Sequence, residues 1–166
     1  MKKILVLLLV VSVQLFSSCE KDDICTDETT PRLIIEFYDI TNPSVLKNVT
    51  SLKVTGIGQT DALGTFSSVS KIELPLKLDA DTTQYSLVLN SSSSTLLNED
   101  ILAFNYVRNT VYVSRACGYK TVFELNNPNG ISLTDATTPD GLWMQNVVVQ
   151  TNSITTENET HVKVFF

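Results

Sequence analysis

Lys71-Ile72-Glu73-Leu74-Pro75-Leu76-Lys77-Leu78 decides the fold class. Ile72, Leu74, Leu76 and Leu78 recur at every second residue, and Lys71, Glu73, Pro75 and Lys77 fill the places between them. A period of two puts one set on a buried face and the other toward solvent, which marks a half-buried β-strand. Pro75 has no N–H to give to a ladder, so this strand is expected at a sheet edge or a bulge.

The same alternation, rich in Val, Ile, Thr, Tyr and Phe, recurs at residues 32–39, 49–57, 84–90, 101–108, 110–116, 120–125, 142–150 and 161–166, giving about nine strands in all. Turn formers separate them: Asn42-Pro43-Ser44, Gly56 with Gly58, Asp79 to Asp81, Ser91 to Ser94, Asn126 to Gly130, and Pro139-Asp140-Gly141. The stretch from Leu96 to Phe104 is the one contender for a helix, and it reads as a strand. Short strands at this spacing predict an all-β fold, an antiparallel β-sandwich of eight or nine strands in one domain over residues 31–166. A membrane barrel is disfavoured because the outward positions are polar and aromatic girdles are missing.

Residues 4–13, behind the basic start Met1-Lys2-Lys3, form the apolar run of a secretory signal peptide spanning residues 1–18. The run is too short for a transmembrane helix, which takes about 20 apolar residues. Leu15-Phe16-Ser17-Ser18-Cys19 resembles the lipobox of bacterial lipoproteins, in which a cysteine after small residues takes the lipid. Lipidation of Cys19 is the expectation, with an ordinary downstream cut as the alternative, and residues 19–30 form the lipidated tether. Two or three acyl chains, at about 0.8 kcal/mol per buried methylene, make an effectively permanent anchor. Within the tether, Glu20-Lys21-Asp22-Asp23 is similar to the export signal of surface-displayed lipoproteins of Bacteroidota; a plain charged spacer is the other reading. The expected location is the outer membrane, facing the cell surface, with a periplasm-facing placement as the alternative.

Without Lys2 and Lys3, 10 basic residues stand against 18 acidic ones, a net charge of −8. Nucleic acid is excluded as a partner on this balance, because its binders place Lys and Arg against phosphates. Attachment to the membrane must come from acyl chains rather than charge. Setting Cys19 aside leaves Cys25 and Cys117, an even pair in an oxidising compartment, and a disulfide between them is expected. Two separate buried thiols are the alternative.

Candidate chemistry is thin. The chain has one His and one Trp, and His161 has no activating neighbour in sequence. Asp22 with Asp23, Asp79 with Asp81, and Glu99 with Asp100 each read as linker or turn chemistry rather than a catalytic pair. Asp79-Ala80-Asp81 offers oxygen ligands but not the ladder of a calcium loop, and neither a metal nor another cofactor is expected. Gly56-Ile57-Gly58 lacks the helix that a dinucleotide loop requires. Asp81-Thr82-Thr83 resembles the O-glycosylation site of exported Bacteroidota proteins, with Thr82 as the acceptor. Asn48, Asn90 and Asn158 open Asn-x-Ser/Thr sequons that matter only in a eukaryotic secretory route. Most aromatic residues fall on strands and belong to the core, while Tyr119 and Trp143, each close to a glycine, are the candidates for ligand contact.

Three blocks, Ser18-Cys19-Glu20-Lys21-Asp22-Asp23-Ile24-Cys25, Thr30-Pro31-Arg32-Leu33-Ile34-Ile35-Glu36-Phe37-Tyr38-Asp39 and Arg115-Ala116-Cys117-Gly118-Tyr119, together resemble a family of uncharacterised Bacteroidota lipoproteins with a domain-of-unknown-function label. The resemblance implies the envelope address and the Cys25–Cys117 pairing, and it transfers no mechanism. The sequence thus points to a binding or structural module rather than an enzyme. A carbohydrate- or peptide-binding accessory of an uptake complex is one alternative, and an envelope hydrolase is another.

Overall fold

A computed structural model describes residues 24–166 apart from Glu28. The expected signal peptide over residues 1–18, the expected lipidation site Cys19 and the Glu20–Asp23 tetrapeptide lie outside the described residues. Eleven strands follow one another with no helix among the described residues: β1 (Leu33–Tyr38), β2 (Leu52–Gly56), β3 (Ala62–Phe66), β4 (Lys71–Leu74), β5 (Thr82–Leu89), β6 (Asn98–Ser114), β7 (Gly118–Leu125), β8 (Ile131–Asp135), β9 (Asn146–Val149), β10 (Ser153–Ile154) and β11 (Val162–Phe165). They form two sheets. The first has the order β4-β1-β11-β9, and the second runs β10-β7-β6-β5-β2-β3 with β8 also paired to β6.

The two sheets enclose a single apolar core, so the architecture is sandwich-like as the alternation predicts. Leu33, Ile35 and Phe37 of β1, Ile72 and Leu74 of β4, and Val162 and Val164 of β11 face Leu52, Tyr85, Leu87, Leu102, Phe104 and Tyr106 of the second sheet. Each fully buried aliphatic or aromatic side chain contributes roughly 1.5–3 kcal/mol by leaving water, so this continuous core dominates the stability. Phe37, Trp143 and Phe166 close one end as an aromatic trio, with Trp143 and Phe166 edge to face at 5.4 Å.

Pairing departs from the antiparallel expectation in one place. β1 and β11 run parallel, with Ile35 opposite Val162 and Phe37 opposite Val164. Parallel neighbours need a long crossover, and here nearly the whole chain supplies it. The segments 101–108 and 110–116 are one strand, not two: β6 runs through Asn109, which pairs with Val122 of β7, as far as Ser114. β7 and β8 lie end to end against β6, with β7 on Tyr106–Ser114 and β8 on Asp100–Phe104. The detour between them needs Gly130, where a Cβ would come within 2.6 Å of the Asn126 carbonyl oxygen. β3 and β10 carry too little alternation to have been predicted; β8 does alternate, with Ile131 and Leu133 half-buried and Ser132 and Thr134 exposed, but it is absent from the expected strands.

Pro75 stands where its missing N–H places it. It ends β4, the edge strand of the first sheet. Leu76 remains buried, but Leu78 is exposed because the chain has left the sheet by then.

Candidate functional site

Two sheet edges come together on one side of the sandwich. β3 ends the second sheet and β4 ends the first, and neither has an outer partner among the described residues. A furrow runs between them. One part, about 400 Å³, is lined by Ile57, Leu63, Pro75, Leu76 and Tyr85. A second part, about 530 Å³, shares Leu63 and Pro75 with the first and adds Phe66, Ile72, Lys71 and Arg32. Leu63, 48% exposed, stands in both parts.

Side chains of the second sheet hold the floor of the furrow. The Lys77 N–H donates to Thr83 Oγ1 at 2.9 Å, Thr83 Oγ1 and Tyr106 Oη are 2.6 Å apart, and the Tyr106 hydroxyl donates to the Lys77 carbonyl at 3.0 Å. With Thr83 donating to Tyr106 the three residues close a ring of hydrogen bonds, and each buried polar group is satisfied. The Tyr85 hydroxyl donates to the Pro75 carbonyl, and burial, with Tyr106 nearby, pushes the phenol up to about 12. Tyr85 is therefore a neutral donor at any physiological pH.

Arg32 lies at the rim between two carboxylates. Its guanidinium donates to both oxygens of Glu157, at 2.9 and 2.8 Å, and reaches Glu73 at 2.7 Å. The backbone N–H of Arg32 also donates to Glu157. These bonds hold the Glu157 carboxyl at about 2, with the Arg32 side-chain hydrogen bond as the leading cause. Glu157 is thus an ion-pair partner with no proton to give at neutral pH.

Asp100 is the most unusual carboxylate. It shares the core-facing side of β6 with Leu102, Phe104 and Tyr106, and it is fully buried. Its Oδ2 accepts the Met144 N–H at 2.8 Å, while its Oδ1 has no hydrogen-bond partner. Burial raises the carboxyl to about 6, and Asp135 on the paired strand β8 adds repulsion. Asp135 itself accepts the N–H groups of Ala136, Asp140 and Gly141. The two carboxylates therefore organise the 135–144 loop and line none of the cavities described above. Sequence spacing held the signal for Asp100, since it has the same parity as three buried neighbours, but its pairing with Glu99 reads as turn chemistry.

His161 is likewise buried. Its Nδ1 accepts the Ile34 N–H at 2.9 Å, so the imidazole is an acceptor on that side and its Nε2 carries the proton without a partner. Burial lowers its pKa. Among the described residues no group of His, Cys, Asp and Glu side chains is arranged to hold a metal ion.

The remaining predicted site residues fall as follows. Cys25 and Cys117 form a disulfide, with their Cα atoms 4.8 Å apart. Thr82 opens β5 half-buried, and its hydroxyl donates to Asn105 Oδ1 at 2.8 Å. Tyr119 is 70% exposed and packs edge to face on Tyr112, 5.3 Å between ring centroids. Trp143 corrects its expectation as a ligand contact. It is only 8% exposed, and its indole N–H donates to the Leu87 carbonyl at 3.1 Å. The glycine two residues before it lets the chain turn inward, so the ring enters the core end rather than leaving it. Tyr119 and Trp143 do not share a face.

A family model matches residues 51–166, more than two thirds of the chain. The chain belongs to the family of unknown function DUF6452. The matched span takes in the furrow's β3 and β4 edges, Asp100 and Cys117, but not Cys25 or β1. β1 nevertheless lies between β4 and β11 in the first sheet, so the folded unit of this family member begins before the matched span. No curated protein and no solved structure matches the chain.

Proposed function

We propose that this protein is a lipid-anchored lipoprotein of a bacterial outer membrane, displayed at the cell surface, that acts as a binding module for an extended peptide segment of a partner. The anchor is the acylated Cys19, and the Bacteroidota-like Glu20–Asp23 signal supports the outward address. One observation carries the choice of ligand: an apolar furrow flanked by two unpartnered strand edges. An edge strand offers a row of free N–H and C=O groups, and alternate side chains of an added strand can enter pockets beside it. A carbohydrate platform is less well supported, because Trp143 is committed to the core.

Site-specific photo-crosslinking in intact cells tests this reading. A crosslinker at Leu63 or Ile57 should give discrete adducts with a polypeptide, and one at Leu46, exposed but outside the furrow, should not. Equal yields at all three positions, or none at Leu63, would refute peptide binding at this furrow.

A further inference from the structure

The far half of β6 leaves the sandwich. β5 pairs with β6 only as far as Asn105, and β8 only as far as Phe104. Beyond that point Thr110–Tyr112 and Ser114 pair with β7 alone, opposite Gly118–Thr121, so the two strands project as a ribbon. A two-stranded ribbon has no core of its own. Among its exposed side chains, which include Thr110, Arg115 and Ala116, are three large apolar or aromatic ones: Tyr112, at 55% exposure, and Tyr119, paired on one face, and Val111 on the other. Surface hydrophobes scattered singly need no explanation, but these cluster at one projecting tip.

The N-terminal arm fixes where that tip points. The Cys25–Cys117 disulfide ties the arm to the turn of the ribbon, and Thr30 Oγ1 accepts the Thr121 N–H at 3.0 Å farther down. Ile24, the first described residue, is 78% exposed beside the bridge. Only five residues lie between Cys19 and Cys25, and a fully extended chain over those six positions spans at most about 20 Å. With an acyl chain on Cys19, the ribbon tip is held within that distance of the bilayer surface, whatever path the tether takes.

We infer that the β6–β7 ribbon tip is a second, non-covalent membrane contact, with Tyr112, Tyr119, Val111 and Ile24 seated in the headgroup layer of the bilayer that carries the acyl chains. Tyrosine favours this layer because its ring is apolar and its hydroxyl can stay hydrated. Arg115 at the turn and Lys120 on β7 have long side chains that reach phosphate oxygens from the same depth. Asp22, Asp23, Asp27 and Glu28 on the arm oppose any net electrostatic attraction, so the contact rests on aromatic and aliphatic burial. A few such side chains are too little to hold the protein unaided. Their effect is to fix the orientation of a domain already tethered, where the disulfide alone would leave it swinging. This inference depends on the acyl anchor proposed above.

Hydroxyl-radical footprinting of the full lipidated protein in phosphatidylcholine vesicles tests it, after intact-mass analysis of the same sample. The reference is the mature chain carrying Cys19→Ala, which takes no acyl group. Oxidation of Tyr112 and Tyr119 should fall by about threefold or more in the lipidated protein relative to the reference, as expected for rings withdrawn into the interface. Leu96 and Leu97, exposed in the loop before β6, should react alike in both samples. An acylated protein whose Tyr112 and Tyr119 stay as reactive as in the reference overturns the ribbon contact and leaves the anchor standing. An unmodified mass overturns both. Protection that arises in native envelopes but not in lipid vesicles assigns the tip to a protein partner, and it overturns the inference as well.

Discussion

Burial raises the Asp100 carboxyl to about 6, and an aspartate in the unfolded chain titrates near 3.8, so the folded state holds more protons between those values. Stability contributed at this site is therefore full below about pH 4 and is lost as pH rises through 6. Asp100→Asn keeps an oxygen for the Met144 N–H and cannot ionise. In urea denaturation, the stability of the Asn variant relative to the native protein should rise by roughly 2 to 3 kcal/mol between pH 4 and 7, and a constant difference would show that burial does not raise the Asp100 carboxyl. Glu157 has the opposite sign. Its carboxyl is held at about 2, so the stability it provides is present above the ordinary glutamate range and is lost as pH falls toward 2. Because the pair is partly exposed, Glu157→Gln should cost about 1 kcal/mol or less at pH 7 and nothing at pH 2, measured by the same titration. His161, whose pKa is lowered by burial, favours the folded state above the ordinary histidine range and destabilises it as pH falls below. His161→Ala leaves the Ile34 N–H without an acceptor and opens a cavity; a loss of about 3 kcal/mol is expected at pH 7. All three groups have counterparts in the sequence, yet only Asp100 could have been placed there, through its parity with Leu102 and Phe104. Glu157 and His161 act on residues 125 and 127 positions away, a distance that local pattern does not encode.

Among the strands, those that alternate strongly are the ones legible beforehand. Residues 71–78 announced a strand at a sheet edge or a bulge; β4 is that edge strand, but it ends at Leu74, before Pro75. β3, with Gly64 in its middle and its two large apolar residues, Leu63 and Phe66, three positions apart, gave no such signal, although it forms one wall of the furrow. The furrow was accordingly invisible in the sequence: it arises from two edges meeting, which is a property of sheet order. The parallel β1–β11 pair was unreadable for the same reason, since alternation fixes a face but not a neighbour. The β7–β8 junction makes a sharper test of how tightly a detour is built. Gly130→Ala would push a methyl against the Asn126 carbonyl at 2.6 Å and the Leu125 side chain at 3.0 Å, and the backbone must shift to admit it. A loss of about 2 kcal/mol is expected, read as a lower denaturation midpoint with an unchanged slope. An unaffected midpoint would mean that the detour relaxes freely.

For the folded domain together with its arm, the decisive covalent feature is the Cys25–Cys117 bridge, which closes a loop of 92 residues. The chain-entropy account gives about 4.5 kcal/mol for a loop of that size, with native strain or residual structure lowering the figure. A Cys25→Ser, Cys117→Ser double variant should retain the two-sheet core, which buries its own apolar surface, while losing up to that amount in denaturation midpoint and freeing the ribbon tip from the arm. Collapse of the whole sandwich would instead make the bridge a condition of folding. Everything proposed about address and orientation depends on what Cys19 carries, and the mass of the intact protein from its native envelope measures that directly. The proposed anchor predicts a chain beginning at Cys19 with a diacylglyceryl group in thioether linkage and, in its fully processed form, an additional N-acyl chain. A mass equal to the unmodified polypeptide would contradict it.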